Sequence, residues 1–405
     1  MIRKCIVWAC CALICALPVR AQNLTAIARV DAEASQIEDS WFGGAQITLE
    51  LSQGVPYRVF TLTDPPRLVV DFREVDWTGA RARDFLTPDG AIRDLRFGNF
   101  QPGWSRMVAD MVKPLVPDSI GMSIDSATGA ATLEISLKSA SDEAFAAQAG
   151  APENALWPNP PVPEIMAPVT DDRFVVAIDP GHGGVDPGAE REDVTEKDLM
   201  LQIAVELREA LLRSGQADVV LTRDADMFVS LEGRVAIAHR AGADVFLSLH
   251  ADALSQGGAH GATVYTLSDE ASDTATAHLA ARHNRADIIA GTDLTGSDDQ
   301  IASVLLDLAR QETEPRSKAL ARQLVQGLTD AGGPMNRRPL RKAGFSVLKS
   351  ADIPSVLVEV GFLSSERDLN NLRDPTWRSK MVSGMVQAIL AWRDADAAQR
   401  PLVRQ

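Results

Sequence analysis

At 405 residues the chain is too long for one ordinary domain, and two are expected. A formal net charge of −15 argues against nucleic acid or an anionic membrane surface as partner, since both repel an acidic protein. All four cysteines (Cys5, Cys10, Cys11 and Cys15) lie near the N-terminus, leaving the rest of the chain no disulfide framework and no thiolate metal site.

Arg3 and Lys4 precede an apolar run from Cys5 to Leu17, and Val19-Arg20-Ala21 supplies a small-x-small cleavage site. Residues 1–21 therefore read as a secretory signal peptide; an uncleaved anchor fits less well, because the run is short for a membrane span. No later segment is long and apolar enough to be one, so no membrane span is expected after cleavage. Losing Arg3, Lys4 and Arg20 brings the remainder to about −18.

Residues 24–139 hold short alternating apolar runs broken by Gly, Pro and Asp, such as Ala45-Gln46-Ile47-Thr48-Leu49-Glu50-Leu51 and Ala131-Thr132-Leu133-Glu134-Ile135-Ser136-Leu137. Period-2 runs at this spacing predict a small all-β sandwich. The segment has no histidine and reads as a binding module. Residues 140–172 are rich in Ala, Pro and acids, with Pro158, Pro160, Pro161 and Pro163 close together, and predict a semi-extended linker that separates two domains cleanly.

From 173 to 396 the pattern changes to alternating strands and helices. Strands are expected at 174–179, 218–222, 244–250, 262–267, 345–349 and 355–360, and helices at 196–213, 231–241 and 375–392. Leu199, Ile203, Leu207 and Leu211 fall on one face of the first helix, and Thr195 with Asp198 forms a candidate capping box. This alternation predicts an α/β domain with a mostly parallel sheet flanked by helices.

The polar residues at the ends of these strands carry the chemistry. His182 follows the first strand within Ile178-Asp179-Pro180-Gly181-His182-Gly183-Gly184, Glu196 opens the first helix, and His250 ends the run Asp244-Val245-Phe246-Leu247-Ser248-Leu249-His250. Two imidazoles and a carboxylate are the His2Glu set of catalytic zinc sites, in which a fourth position is left for water. Glu359 ends the apolar strand Ser355-Val356-Leu357-Val358-Glu359-Val360, where a carboxylate is costly unless paired or functional. Taken singly, His182 reads as a loop residue, Glu196 as a first-turn acid favoured by the helix dipole, and His250 as a strand end. Taken together, at strand ends where α/β sheets place their sites, they favour a metal centre. His239, His260, His278 and His283 lie in polar helical or loop surroundings, where most histidines are solvated.

These motifs, with Asp186-Pro187-Gly188-Ala189, Ser248-Leu249-His250-Ala251-Asp252 and Pro354-Ser355-Val356-Leu357-Val358-Glu359-Val360-Gly361-Phe362-Leu363-Ser364, resemble the zinc-dependent N-acetylmuramoyl-L-alanine amidases of the cell-wall amidase type. The resemblance implies one Zn2+ held by His182, Glu196 and His250, with Glu359 as the catalytic glutamate. It implies hydrolysis of the amide between N-acetylmuramic acid and L-alanine of the peptidoglycan stem peptide, in cell-wall remodelling and daughter-cell separation. The stretch 59–71 and Arg93-Asp94-Leu95-Arg96-Phe97-Gly98 are similar to the AMIN domain of periplasmic amidases, which targets peptidoglycan and the division site.

Residues 269–330 exceed what a strand-to-strand crossover needs. In division-linked amidases an insertion here is an autoinhibitory element displaced by an activator, and Asn284-Arg285-Ala286-Asp287 resembles part of it. Family members often place Glu before that Asn, where it occupies the open zinc position. Here His283 stands there, and the resemblance makes it a candidate capping ligand. A LytM-type activator and a periplasmic location are implied by the same resemblance. Two other readings stay open: a catalytically silent peptidoglycan-binding divisome adaptor, and a glycosidase using Glu196 and Glu359 as paired carboxylates.

Overall fold

A computed structural model describes residues 27–40, 43–73, 75–152, 173–253, 259–292, 303–350 and 352–403. The expected signal peptide and residues 153–172 of the expected linker lie outside them. No helix of the described residues is long and apolar enough to cross a membrane.

The N-terminal region is a sandwich of two sheets. Strands Ala28–Asp39, Ala45–Leu51, Val75–Asp76, Leu115–Ile124 and Ala131–Ser139 form one; Tyr57–Leu62, Arg67–Arg73, Ile92–Gln101 and Trp104–Met111 form the other. The alternation in Ala45–Leu51 turns Ala45, Ile47, Leu49 and Leu51 inward, where they meet Leu68, Val70, Phe72 and Met107 of the opposite sheet. Each of these side chains larger than alanine contributes about 1.5–3 kcal/mol on burial. The packed region runs past residue 139: Ser141 caps the short helix Asp142–Ala146, whose Phe145 is buried in the sandwich core.

The second domain is built on a six-stranded sheet in the order Asp218–Leu221, Val175–Pro180, Val245–His250, Ser355–Glu359, Ala262–Leu267, Met335–Ala343. All neighbours are parallel except Ser355–Glu359 against Ala262–Leu267. Side-chain alternation divides each central strand between two helical layers. Val176, Ile178, Leu247, Leu249, Val356 and Val358 face helices Glu196–Ser214, Ser303–Asp330 and Pro375–Val403. Ala177, Phe246 and Leu357 face Leu231–Arg240 and Thr274–His283.

One expected strand is absent. Residues 345–349 do not extend; Ser346–Leu348 form a single 3-10 turn that buries Val347 and Leu348. The edge strand is instead Met335–Ala343, which carries Arg337, Arg338, Arg341 and Lys342 and so shows no apolar alternation. Charged edges of this kind guard a sheet against further pairing, and they hide the strand from a hydrophobic pattern. Helix Glu366–Arg373 was also not legible, being polar apart from Leu369 and Leu372.

Nor are the two domains cleanly separated. Val185 N donates to Asn99 O (3.1 Å), Asn99 Nδ2 donates to Asp226 O (3.0 Å), and the rings of Phe100 and Phe228 stack with centroids 5.6 Å apart. Val108, Val185, Phe228 and Ala290 make a small apolar cluster across the junction.

Candidate active site

Register brings the site together. Pro180 pairs with Leu249 and His250 pairs with Glu359, so three strands end side by side. Asp179 anchors this corner: buried, it accepts from Arg234 Nη1 (2.7 Å), Thr222 Oγ1 (2.5 Å) and Ser248 Oγ (2.6 Å). Arg234, 2% exposed, also donates to Pro180 O (2.9 Å) and His182 O (2.8 Å). The loop that carries His182 is thus held by a buried guanidinium, whose removal would strand the Asp179 charge at about 3–5 kcal/mol.

His182 has φ +61, a left-handed conformation that is unfavourable for a side-chain-bearing residue and persists only where the surroundings impose it. Its Nδ1 lies 2.8 Å from Asp186 Oδ2, which leaves Nε2 facing inward. A carboxylate behind an imidazole is the arrangement that orients a metal-binding histidine. Gly188, at φ +69, admits the approach: a Cβ there would lie 2.6 Å from His182 Cδ2 and 2.8 Å from Glu196 Oε2.

Glu196 is the first residue of its helix and fully buried. Thr195 caps the helix, its hydroxyl accepting from Asp198 N; the expected box is only half formed, since the Asp198 carboxylate accepts from the Thr195 hydroxyl instead of its backbone N–H. Glu196 Oε1 lies 2.9 Å from His250 Nδ1 and 3.2 Å from His182 Nε2, and accepts from Ala251 N; Oε2 accepts from Ala189 N. Against the burial that opposes its charge, the charge of the adjacent His182 and the hydrogen bond from His250 hold its carboxyl well below the ordinary range. Burial likewise opposes the charge on His182, but Asp186 and then Glu196 keep its imidazolium favoured well above the usual value. Burial, then His283, pushes His250 down to about 4.

Glu359 is 0% exposed, with Oε2 accepting from Asp252 N (3.0 Å). Burial and then Glu196 push its carboxyl up to about 7, the range of a general base working near neutral pH. His283 also lies in this cluster, 5% exposed, rather than solvated on its helix. Its ring centroid is 4.2 Å from that of His250, and Nε2 is 3.6 Å from both Glu359 Oε1 and Asp252 Oδ2.

The cluster fits a cation. Ligand nitrogens of His182, His250 and His283 all lie within 4.8 Å of one another, beside the Glu196 carboxylate. His182 Nε2, His283 Nε2 and Glu359 Oε1 are buried with no hydrogen-bond partner in the structure. Polar atoms so placed are expensive unless something else satisfies them. Asp179, Asp186 and Asp252 lie within the sequence motifs without a role that the sequence assigns, and Arg234 lies outside them; for Asp186 the spacing of four residues from His182 is the available signal.

Imidazoles and a carboxylate gathered over a buried glutamate, at the carboxyl ends of parallel strands, define a metal-assisted hydrolase. Comparison with known proteins specifies the class. A family model described as N-acetylmuramoyl-L-alanine amidase matches residues 176–391, and an AMIN domain model matches 38–129. The chain is 29% identical over 360 residues to the amidase AmiC of Escherichia coli, covering 86% of each. It is 30% identical over 382 residues to AmiC of Neisseria meningitidis, covering 88% of each. It is 38% identical over 225 residues to AmiA of Salmonella typhimurium, covering 55% of this chain and 77% of that one. The chain belongs to the N-acetylmuramoyl-L-alanine amidase family, with an AMIN domain preceding the catalytic domain. Its activity is peptidoglycan amide hydrolysis in cell-wall remodelling.

Proposed function

We propose that the amidase acts in the periplasm after signal cleavage, in daughter-cell separation, and that its metal is a single Zn2+ held by His182, Glu196 and His250. The donor types support this: neutral imidazole and carboxylate suit zinc, and no thiolate is at hand. Zinc bound there would act as a Lewis acid, lowering the pKa of water and polarising the scissile carbonyl. Glu359 is the proton carrier. Asp252 N holds its Oε2, so the unpartnered Oε1 takes the proton from the attacking water and delivers it to the departing nitrogen of L-alanine. Asp186 keeps the inward nitrogen of His182 free for the cation.

The resting site is closed, and this carries the second half of the proposal. The cavity over the histidines is about 80 Å3, roofed by Arg282, His283, Ala286 and Ile289. Sites for drug-sized ligands run about 300–1,000 Å3, so a muramyl peptide needs the roof to move. We read His283 as a fourth ligand that caps the ion, and a LytM-type protein of the division machinery as the activator that lifts it. Replacing His283 by Ala is then expected to raise basal turnover several-fold. Unchanged turnover and unchanged metal content in that variant would remove the cap from the account.

The reaction itself is tested by digesting purified peptidoglycan with the full chain and resolving the products by mass. Free stem peptides and intact glycan strands, lost with chelator and restored by zinc, are expected. Cleaved glycan, or indifference to chelator, would overturn the zinc amidase.

A further inference from the structure

The roof continues without a break into the N-terminal domain. Thr274–His283 is followed by the short helix Ala286–Ile289, and across the junction Asn284 N donates to Ala280 O (2.9 Å) and Arg285 N to Arg282 O (3.1 Å), so the backbone bonding runs from the first helix to the start of the second. Asn284 ties this segment to the catalytic domain, accepting from Ser346 N and donating to Gly344 O (2.7 Å each). Its far end is not held by the catalytic domain alone.

Four consecutive carbonyls at that end accept hydrogen bonds from three arginines of one sheet of the N-terminal sandwich. Arg67 Nη1 donates to Ile288 O (2.6 Å), and Arg96 Nε donates to Ile289 O (3.2 Å). Arg106 Nη1 reaches both Ala290 O (3.2 Å) and Gly291 O (2.7 Å). Terminal helix carbonyls have no partner within the helix and favour cations beside them.

The arginines are set in place by their own domain. Arg106, 3% exposed, is held by both oxygens of Asp71 (2.5 and 3.0 Å). Arg96 is held by Asp94 (2.5 Å) and Asp110 (2.6 Å), and Arg67 by the carbonyls of Pro65 and Thr63. Donors fixed in this way lose little freedom on gripping a partner. The fit is close as well as polar. Gly291 sits at φ +64 against the sheet, and a Cβ there would come within 3.0 Å of both Val69 Cγ2 and Val108 Cγ2.

We infer that the arginine-bearing face of the AMIN domain is an internal docking surface for residues 286–291, and that it holds the roof shut over the active site. The AMIN domain is then a repressor of basal activity in addition to any targeting role. A partner that shifts the two domains apart opens the site without touching the histidines. This rests on the reading that residues 274–291 cover the metal site, although the docking contact stands apart from it.

Hydrogen exchange on the full chain, stripped of metal by chelator, reads the docking directly. Arg67→Ala and Gly291→Val attack the contact from its two sides. In both, amides of 274–292 are expected to exchange at least tenfold faster, with strands Val245–His250 and Ala45–Leu51 unchanged as controls of folding. With zinc restored, basal release of stem peptides is expected to rise several-fold. Unchanged exchange in both variants overturns the docking surface. Faster exchange without faster release, while His283→Ala does accelerate release, overturns its control of the site. If His283→Ala is silent too, the covering role of the segment fails, and the inferred control of the site falls with it.

Discussion

Glu359→Gln is expected to lower kcat/KM on peptidoglycan by about 10²–10⁴-fold while zinc binding is retained. Gln keeps the shape and can still accept from Asp252 N, but its amide takes no proton from water and has none to return. The buried setting makes this replacement mild for the fold, because the native carboxylate already bears the desolvation that raises it to about 7. With Glu359 as the proposed base, the carboxylate form does the work, and activity is expected to fall as pH drops through its pKa. A cation beside the carboxylate favours its charged form, which places this acid limb below 7 in the zinc-loaded enzyme. Steady-state rates across pH, with metal content measured on the same samples, check both points. Full activity in the zinc-loaded variant would remove Glu359 from the chemistry.

His250→Ala is expected to lose bound zinc and with it several kcal/mol of transition-state stabilisation, about a thousandfold or more in rate. Glu196 keeps its bonds from Ala189 N and Ala251 N, and the strand keeps its register, so the loss reports ligation rather than unfolding. The wild type should also release between one and two protons on taking up zinc at neutral pH, about one from His182 and a fraction from Glu359 as the cation draws its carboxyl down from about 7. His250, pushed down to about 4, is already neutral there, whereas His182 is protonated between Asp186 and Glu196 and must give up its proton. Zinc affinity therefore rises with pH through the neutral range. Calorimetry in buffers of different ionisation enthalpy counts the protons, and a count of zero would contradict the protonated His182.

Both variants concern residues that a linear reading could find. His182, Glu196, His250 and Glu359 stand at strand ends and a helix start, and hydrophobic periodicity marks those ends because each central strand is buried on both faces. The all-β nature of residues 24–139 was legible for the same local reason, an alternation with period two. Patterns failed where a segment is stabilised by something other than its own apolar residues. Met335–Ala343 is a strand because Ala262–Leu267 offers it hydrogen bonds, and 345–349 turns inward because Phe345, Val347 and Leu348 fill a gap beside Phe246 and Tyr265.

The sequence by itself therefore determined the two domain classes and singled out the candidate ligands and the candidate catalytic carboxylate, since each is written in a local pattern or motif. Only the tertiary structure decided what surrounds them. It put Asp186 behind His182, buried His283 against Glu359, and laid three arginines of one domain on four carbonyls of the other. Arg67 and Ile288 are 221 residues apart along the chain, and no periodicity reaches that far. Contacts of that range are selected by the packing of whole sheets and helices, in which a residue's neighbours are set by the layer it faces rather than by its place in the sequence.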